Sequence, residues 1–304
     1  MENKKIIVTG GSGMVGKHLQ KFMPNATYLS SKDYDLTSEK QVVQMFYYER
    51  PDIIIHLSAK VGGIVDNINK PAEYFTDNII MNTLLVKYAH IHEVKRFIGI
   101  LSTCIYPDIV KNYPMKEEEL HSGPPTATNF AYGYAKRSLA VQIDSYNKQY
   151  GTKYNYLIPS NLYGEFDKYG ENSHFVAALI KKIIQAKREN KNHIELFGTG
   201  TPLRQFTHSD DLAKVIKYCV DNECYESFNV STSENYSISE IAKIVLKACG
   251  VENLELRFDT TKPDGQFRKD VSNELMKKCI PNFEYTSLYD GIKKTYEYVN
   301  KLEL

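Results

Sequence analysis

The first half of the chain alternates short hydrophobic runs with longer stretches in which apolar residues recur at helical spacing. Two runs, Ile53–Ile55 and Phe97–Leu101, are almost continuously apolar, as expected for parallel strands that helices cover on both faces. This alternation predicts an α/β fold with a doubly wound parallel sheet. The predicted strands are Ile6–Thr9, Thr27–Ser30, Asp52–Ser58, Arg96–Ser102 and Asn155–Ile158, and the predicted helices are Gly16–Met23, Glu39–Glu49, Ala72–Val94 and Ala131–Tyr150.

Beyond Gly164 the alternation becomes irregular. We therefore expect a smaller α/β lobe that binds substrate, with the chain crossing between the two lobes. The predicted boundaries are residues 1–164 and 194–231 for a Rossmann-like domain, and residues 165–193 and 232–304 for the smaller lobe. The predicted elements of this half are the strand Ile194–Phe197 and the helices His174–Glu189, Asp210–Val220, Ser239–Cys249 and Leu288–Asn300.

Composition excludes several classes of function. The chain has 304 residues, a formal net charge of +1 and a charged fraction of 25%, so no global field directs it to nucleic acid or to a membrane surface. No apolar run reaches the ~18 residues of a membrane span, and the start of the sequence lacks the features of a secretory signal. The five cysteines show no CxxC spacing, which predicts neither a metal site nor a disulfide framework. We expect a soluble cytoplasmic protein.

A glycine-rich turn, Thr9–Gly16, follows the first predicted strand and opens the first predicted helix. Gly10 permits the tight turn, Gly13 lets the backbone approach a pyrophosphate, and Gly16 lets the helix pack on the sheet. Backbone N–H groups at the helix start then hold phosphate. The glycines have GxxGxxG rather than GxGxxG spacing, and a purely structural loop is the alternative interpretation. The predicted cofactor contacts in the turn are Gly10, Ser12, Gly13, Met14, Val15 and Gly16.

The residues after the second strand choose between NAD and NADP. An acidic side chain there binds the ribose diol of NAD, whereas small polar and basic side chains accommodate the 2′-phosphate of NADP. Ser31 and Lys32 come first and favour NADP(H), while Asp33 or Asp35 would favour NAD if the register differed by a few residues. We predict NADP(H), with Ser31, Lys32, Asp35 and Leu36 as contacts, the last two flanking the adenine ring.

Tyr132 and Lys136 are four residues apart on a predicted helix, which places both side chains on one face. A lysine ammonium beside a phenol favours the phenolate, so we expect the pKa of Tyr132 to fall from about 10 towards neutrality. Such a phenol exchanges a proton with a carbonyl or alcohol oxygen. Ser102 ends a predicted central strand, where ligands of open α/β sheets bind, and is predicted to donate a hydrogen bond to a substrate oxygen. Two ordinary helix-surface residues are the alternative for the Tyr–Lys pair.

The glycine turn, Ser102, Tyr132 and Lys136 together resemble the extended short-chain dehydrogenase/reductase family. Further blocks, which keep their order along nearly the whole chain, resemble the GDP-L-fucose synthase family within it. These blocks are Ala59–Ile64, Ser102–Pro107, Gly123–Pro125, Pro159–Gly164, Asn172–His174, Gly198–Arg204 and Phe258–Gly265.

The resemblance implies epimerisation at C3 and C5 of a GDP-linked 4-keto-6-deoxy sugar and reduction of its C4 carbonyl by NADPH, for surface-glycan precursors. Ser102, Tyr132 and Lys136 would take the reductase roles. Cys104 and His174 would share the acid and base roles of epimerisation between them. The C4 carbonyl acidifies the C3 and C5 protons, and Ser102 and Tyr132 would stabilise the enolate oxygen. The alternatives are a buried apolar role for Cys104 and a local hydrogen bond at a helix start for His174.

The resemblance also implies further contacts, to the cofactor from Ala59, Lys136, Pro159 and His174, and to the substrate from Thr103, Asn161, Lys182, Phe197, Arg204 and Lys262. Lys182 and Arg204 would hold the diphosphate, with an ordinary surface role as the alternative, above all for Lys182. The sequence departs from the family pattern at Lys182, Phe197 and Glu165, where arginine, tryptophan and proline are frequent. These departures leave the chemistry intact but loosen the prediction of the exact sugar.

Two other functions remain open at this point. A C4 reductase of a related GDP-4-keto sugar, such as a GDP-heptose, would keep the reduction without the epimerisation. A non-catalytic NADP-binding regulator would keep the fold alone. The helices Ala72–Val94 and Ala131–Tyr150 resemble those that pair into a four-helix dimer interface in this superfamily. A homodimer is therefore expected, although packing within one subunit would also explain their apolar stripes.

Overall fold

The computed structural model describes residues 4–170, 173–262 and 264–302, without the side chains of residues 64 and 65. Asn172 and Pro263, which belong to two of the sequence blocks named above, lie outside the described residues. Within the described ranges, no helix combines the length and the apolar character needed to cross a membrane.

Short strands and helices alternate along the chain. The strands are β1 (Ile6–Thr9), β2 (Thr27–Leu29), β3 (Ile53–His56), β4 (Arg96–Ile100), β5 (Tyr154–Pro159), β6 (Asn161–Tyr163), β7 (His193–Phe197), β8 (Leu203–Arg204), β9 (Phe206–His208), β10 (Phe228–Val230), β11 (Tyr236–Ser237) and β12 (Glu255–Asp259). The helices are α1 (Met14–Phe22), α2 (Glu39–Glu49), α3 (Ile64–Asn69), α4 (Pro71–Ile91), α5 (Phe130–Tyr150), α6 (Phe175–Arg188), α7 (Ser209–Asp221), α8 (Ile238–Ala248), α9 (Glu274–Cys279) and α10 (Leu288–Val299).

A six-stranded sheet forms the centre of the larger lobe. Its strand order is β10-β5-β4-β3-β1-β2, and every neighbouring pair runs parallel. The order reverses at β1, because β2 lies on one side of it and β3 on the other. In open α/β sheets, ligands bind beyond the carboxyl ends of the strands at such a reversal. The topology therefore places the predicted glycine turn and the end of β4 at the same edge of the sheet.

Alternate residues of the central strands belong to opposite cores. In β3, Ile54 packs in the core formed with α2, α4 and α5, while Ile53 and Ile55 pack in the core formed with α1 and α7. Phe97 and Ile98 of β4 divide in the same way. Helices cover both faces of the sheet, which is why these strands are continuously apolar in sequence. The predicted doubly wound α/β fold with a smaller α/β lobe is confirmed.

The elements that were both predicted and observed differ mainly at their ends. α1 begins at Met14 rather than Gly16, because Gly13 is the last extended residue before the helix (φ −77°, ψ 174°). β4 ends at Ile100, since Ser102 already begins a tight turn. Eight of the observed elements have no predicted counterpart, namely β6, β8, β9, β10, β11, β12, α3 and α9. The strand β12 escapes prediction because its polar residues make it much less hydrophobic than the central strands.

The smaller lobe has a core of its own, built by α6, α8, α10 and the parallel pair β7–β12. β7 therefore packs in this lobe, although the predicted boundary assigns residues 194–231 to the Rossmann-like domain. Of that range, α7 and β10 pack in the larger lobe. The domain boundaries remain a proposal. The β7–β12 pairing moves the boundary predicted at residue 194 to the residues after β7.

A charge network with a buried centre and two exposed lysines joins α1, α7 and α10 to the segment after β6; its members are His18, Lys21, Glu165, His208, Asp210 and Lys294. His18 Nδ1 lies 2.5 Å from the Asp210 carboxylate, and His208 Nε2 lies 3.1 Å from the Glu165 carboxylate. His18, Glu165 and His208 have ligand atoms within 4.8 Å of one another. These atoms are already engaged in hydrogen bonds, and two lysine ammonium groups balance the carboxylates. A structural link between the lobes explains the network without a metal.

Replacing Glu165 by glutamine is expected to lower the free energy of unfolding by about 2 kcal/mol near neutral pH, because the buried His208 loses its charged hydrogen-bond acceptor and the two lysines keep only Asp210. Burial alone would raise the pKa of Glu165 and Asp210, but hydrogen bonds from His208 and His18 and nearby positive charges hold both well below their usual range. The stability that these carboxylates contribute is therefore present above about pH 4 and is lost as the pH falls towards their folded-state pKa.

Urea unfolding near neutral pH and below about pH 4 tests this expectation. The difference between E165Q and the natural sequence should shrink in acid. Glu297→Gln, an exposed change on the same helix as Lys294, is the matched control and should change little at either pH. An E165Q deficit of equal size at both pH values would contradict the argument.

Candidate active site

The glycine turn joins β1 to α1, as predicted. Gly10 has a φ of 73°, and a side-chain carbon there would come within 2.8 Å of the Ser58 backbone nitrogen, so only glycine fits. α1 begins after Gly13 with no side-chain cap and no acidic residue in its first turn. Ser12 and Gly13 are exposed, and Met14, Val15 and Gly16 form the start of the helix. The uncapped N–H groups of this turn are suited to an anionic phosphate.

The acidic residue nearest to the end of β2 is engaged in a local turn. The Asp33 carboxylate accepts 2.8 Å hydrogen bonds from both the N–H and the hydroxyl of Ser30, and these bonds lower the pKa of Asp33. Ser31 and Lys32 are exposed beside this turn. The arrangement favours a phosphate over a ribose diol, because the free groups are a hydroxyl and an ammonium.

The remaining predicted cofactor residues lie at the same edge of the sheet. The Asp35 carboxylate accepts hydrogen bonds from the N–H and hydroxyl of Thr37. The Leu36 side chain is only 9% exposed and packs in the core of the larger lobe. Ala59 follows β3, and Pro159 is the last residue of β5.

The end of β4 carries a hydroxyl and a thiol two residues apart. Ser102 begins a single 3₁₀ turn over Thr103–Ile105, and its Oγ accepts a hydrogen bond from the Cys104 N–H at 3.3 Å. Ser102 and Cys104 are half-buried, whereas Thr103 is buried. The turn thus presents Ser102 and Cys104 beyond the carboxyl end of the strand.

Tyr132 and Lys136 are both buried in α5, at 9% and 2% exposure. The Lys136 ammonium donates a 2.9 Å hydrogen bond to the Ile100 carbonyl, and no hydrogen bond to the Tyr132 hydroxyl occurs among the described residues. Burial raises the pKa of Tyr132, with Cys104 and Tyr74 adding to the effect, and burial lowers the pKa of Lys136 to about 8. The expected fall of the Tyr132 pKa towards neutrality is therefore wrong for this structure, because loss of hydration dominates. A neutral phenol is the form that a proton donor requires.

Gly133 lets α5 approach the turn that carries Cys104. A side-chain carbon on Gly133 would lie 2.8 Å from the Cys104 carbonyl oxygen and 2.8 Å from the Pro125 side chain. Any larger residue would push α5, and Tyr132 with it, away from the end of β4. The glycine therefore keeps the phenol close to the Ser102–Cys104 turn.

Cys104 has a partner that the sequence does not reveal. Lys269 Nζ lies 3.0 Å from Cys104 Sγ. Burial alone would raise the pKa of the thiol, but the Lys269 charge and hydrogen bonds from Lys269 and Ser102 bring the pKa of Cys104 below its usual value. This is the environment of a reactive thiol rather than of an inert buried one.

Replacing Lys269 by methionine is expected to raise the pKa of Cys104, since the substitution removes the ammonium and keeps an unbranched chain. Because iodoacetamide reacts with the thiolate, the pH profile of Cys104 alkylation should move to higher pH. Near neutral pH the rate should fall about tenfold for each unit of pKa increase. Peptide-resolved mass spectrometry of the alkylated protein measures this, with Lys262→Met as a control for loss of a lysine elsewhere. Identical profiles for K269M and the natural sequence would show that Lys269 does not lower the pKa of the Cys104 thiol.

His174 caps α6 and is oriented by a carboxylate. Its Nδ1 lies 3.0 Å from Asp167 Oδ1, and the Asp167 side chain is 4% exposed. The hydrogen bond with Asp167 raises the pKa of His174 against the effect of burial, and the charges of Asp167 and Cys104 act in the same direction. Lys269 therefore favours the thiolate at Cys104, and Asp167 favours the imidazolium at His174.

Three of the predicted substrate residues, Phe197, Lys182 and Lys262, lie together in an exposed patch that we call the cationic platform. A fourth, Arg204, is more buried. Phe197 is 62% exposed, and the Lys182 and Lys262 ammonium groups lie 5.3 and 5.9 Å from its ring centre. Arg204 is half-buried, and burial lowers its pKa. Among the charges that act in the opposite direction, Cys104 has the largest effect. An exposed ring beside two ammonium groups suits a planar base that carries phosphate.

Asn161 is held by the backbone, because its Nδ2 donates a 2.8 Å hydrogen bond to the Gln205 carbonyl. Two residues of the site, Asp167 and Lys269, are not among the predicted ones. Asp167 is seven residues before His174, and an acid near a candidate histidine is a usable signal. Lys269 is 165 residues from Cys104, so no local spacing connects them.

The fold and the site define an enzyme of the extended short-chain dehydrogenase/reductase class: a glycine turn for a dinucleotide, with Ser102, Tyr132 and Lys136 near the end of a central strand. Comparison with known proteins agrees with this class. Residues 6–231 match the NAD dependent epimerase/dehydratase family, and the chain belongs to this family.

Individual relatives are similar over their whole length. The chain is 35% identical to a GDP-L-fucose synthase from Dictyostelium discoideum over 308 residues, covering 97% of this chain and 95% of that protein. A GDP-L-fucose synthetase from Naegleria fowleri bound to NADP has a TM-score of 0.89 and 33% identity, covering 99% and 94%. A GDP-mannoheptose C4 reductase from Campylobacter jejuni with NADP bound has a TM-score of 0.88 and 27% identity, covering 99% of each chain. The predicted resemblance to the GDP-L-fucose synthase family is confirmed.

Proposed function

We propose that this protein reduces the C4 carbonyl of a GDP-linked 4-keto-6-deoxy sugar with NADPH and also epimerises C3 and C5, as a GDP-L-fucose synthase does. The family membership and the names of the full-length relatives support the reaction class. The observation that carries the epimerase part is the pair of contacts that Lys269 makes with Cys104 and Asp167 makes with His174, which lower the pKa of the thiol and raise the pKa of the imidazole.

NADP(H) is the cofactor that the residues fit. The uncapped start of α1 suits the pyrophosphate. Ser31 and Lys32 are exposed where the 2′-phosphate would lie, while the Asp33 carboxylate is held by Ser30. The bound nicotinamide would supply the hydride for C4.

For reduction, Ser102 and Tyr132 would hold the C4 oxygen, and Tyr132 would give it a proton. Burial keeps the phenol protonated at neutral pH, as a donor must be. Lys136, whose pKa burial lowers to about 8, would hold the ribose and replace the transferred proton. These roles are proposals that the mutational test in the Discussion addresses.

For epimerisation, Cys104 would act as the base and His174 as the acid. The thiolate, held by Lys269, removes the proton on a carbon next to the C4 carbonyl, and Ser102 and Tyr132 stabilise the enolate oxygen. The imidazolium, held by Asp167, protonates the carbon from the other side. Two groups whose environments displace their pKa values in opposite directions are suited to such an acid–base division.

The GDP group would lie on the cationic platform. We propose that the guanine stacks on Phe197, with the diphosphate held by Lys182, Lys262 and Arg204. Phe197 would replace the larger tryptophan frequent in the family at this position without loss of the stacking face.

Assays of NADPH oxidation with a panel of GDP-4-keto hexoses and heptoses, with product stereochemistry by NMR, test the proposal. The second candidate is a C4 reductase without epimerase activity, which the similarity to the heptose reductase favours. Incorporation of solvent deuterium at C3 and C5 without NADPH separates the two, since the pure reductase exchanges neither proton. Tight NADPH binding without turnover of any member of the panel would indicate a non-catalytic regulator instead.

We also propose a homodimer through α4 and α5. These helices pack on each other, and two neighbouring surface cavities that share Tyr134 form a groove along them. Its apolar residues are Phe75, Phe130, Tyr134 and Val141, and the cavity around Val141 also has polar residues in its wall. Phe75, Phe130 and Val141 are 40–50% exposed, and the three α5 residues follow helical spacing along one stripe. Exposed apolar side chains grouped in this way favour an interaction site.

Val141→Glu is expected to convert the dimer to a monomer, because it places a charge in the apolar interface. Sedimentation velocity measures the change. Ile109→Glu introduces the same charge at an exposed residue outside the groove and should leave the dimer intact. A natural protein that sediments as a monomer at assay concentration would exclude the interface.

The proposed location is the cytoplasm. The cysteines of the described chain are free thiols, as a reducing compartment favours. Fractionation of cells that express the tagged full chain tests the location.

A further inference from the structure

Three cysteines that the proposed reaction does not use lie together where α7, the turn after it and α9 meet. Cys219 is buried in the core of the larger lobe, and the half-buried Cys224 and Cys279 pack against that core. Cys224 is close enough to both other thiols to shift the pKa of Cys219 and of Cys279. The Cys224 N–H also donates a 3.1 Å hydrogen bond to the Cys219 carbonyl. This bond draws the two backbones together, as a disulfide requires.

A buried guanidinium lies against this cluster. Arg96 is 4% exposed, donates a hydrogen bond to the Cys224 carbonyl, and lies over the Tyr225 ring at 4.6 Å. Its Nε has no hydrogen-bond partner among the described residues. Cys219 and Cys224 are among the groups that attract its charge. A buried cation with an unpaired N–H repels a metal ion and stabilises an anion, and the anion that this cluster can supply is a thiolate.

Cys224 is the thiol that ionises. A hydrogen bond from Cys219 and another from the Glu226 backbone lower the pKa of Cys224, whereas the same bond and burial raise the pKa of Cys219. Burial and Cys224 raise the pKa of Cys279. Cys224 is also partly exposed, so a small oxidant reaches it, while Cys219 is fully buried.

We propose that Cys224 and Cys219 form a dithiol site that reacts with hydroperoxides and closes to a disulfide. The Cys224 thiolate attacks one peroxide oxygen: a sulfur–oxygen bond forms, the oxygen–oxygen bond breaks, and the leaving oxygen takes a proton to become water or an alcohol. Cys224 is thereby oxidised to a sulfenic acid and the peroxide is reduced. The Cys219 sulfur, on losing its proton, attacks the Cys224 sulfur, forms the disulfide and releases hydroxide, which takes that proton as water.

Trypsin separates the possible disulfides. Cleavage at lysine and arginine leaves Cys219 and Cys224 in one peptide, Tyr218–Lys243, and Cys279 in another, Cys279–Lys293. The full chain is treated with hydrogen peroxide, its remaining thiols are alkylated, and the peptides are analysed by mass spectrometry without reduction. We expect Tyr218–Lys243 to lose two hydrogens and to regain them with a dithiol reductant. Cys224 should react at least about tenfold faster than Cys279.

Matched variants complete the test. Cys219→Ser should leave a sulfenic acid at Cys224 that dimedone traps, and Cys279→Ser should form the disulfide at the natural rate. A peptide cross-link that joins Cys224 to Cys279 would overturn the proposal. So would an unmodified Tyr218–Lys243 peptide after exposure to peroxide. Because the readout is a peptide mass, oxidation of Cys104 and failure of the proposed sugar reaction leave the result unaffected.

Discussion

Replacing Tyr132 by phenylalanine is expected to lower the kcat for NADPH-dependent reduction about a thousandfold. The substitution removes only the hydroxyl that would give its proton to the C4 oxygen. The ring is 9% exposed and packs edge-on against Tyr74 at 6.4 Å, so the fold and the cofactor turn should be kept. The KM for NADPH should change little, because the phenol does not hold the phosphates.

Steady-state kinetics on the best substrate of the GDP-sugar panel measure this effect. Tyr134→Phe is the matched control: it removes a hydroxyl two residues away on the same helix, from a ring that lies in the proposed dimer groove. It should keep nearly the natural rate. If Y132F retained more than about a tenth of the activity, Tyr132 would not be the proton donor.

Replacing Cys104 by serine is expected to reduce solvent-deuterium incorporation at C3 and C5 at least about a hundredfold. A serine hydroxyl of nearly the same shape remains within reach of Lys269, but it does not ionise near neutral pH as the thiol does. Reduction of a sugar with the correct stereochemistry supplied in advance should be much less affected, because Ser102, Tyr132 and Lys136 are unchanged.

NMR of the sugar incubated in deuterated buffer without NADPH measures the exchange. Cys249→Ala removes a thiol buried in the smaller lobe and is the control for the loss of any cysteine. Full exchange in C104S would assign the base role to another residue. Loss of exchange together with loss of reduction of the epimerised sugar would indicate a damaged site rather than a missing base.

The sequence alone determined the fold class and five of the six strands of the central sheet, all but β10. Continuous apolar strands such as Ile53–Ile55 have no polar face, so they require cover on both sides, and parallel pairing follows. The turn Thr9–Gly16 was equally readable, because its glycines, its strand and its helix are all adjacent in the chain. The Tyr132–Lys136 spacing placed the two side chains on one helix face for the same local reason.

Secondary structure and pairing could not be predicted in this way for segments of mixed polarity. The strand β12 carries polar residues at alternate positions. Its partner β7 precedes it by two helices and four strands, so the pairing had no local signal. The domain boundary predicted at residue 194 depended on that pairing. The blocks that resemble the GDP-L-fucose synthase family nevertheless identified most of the candidate site residues in this half.

Only the tertiary structure decided the protonation of the site. The Tyr132–Lys136 spacing predicted a lowered phenol pKa, but burial of the ring raises it, and Lys136 donates its hydrogen bond to the Ile100 carbonyl. Lys269 lowers the pKa of Cys104 from 165 residues away, and Asp167 raises the pKa of His174. Spacing along a chain gives the direction in which a side chain points. A pKa depends on distance to charges and on access to water, and folding sets both.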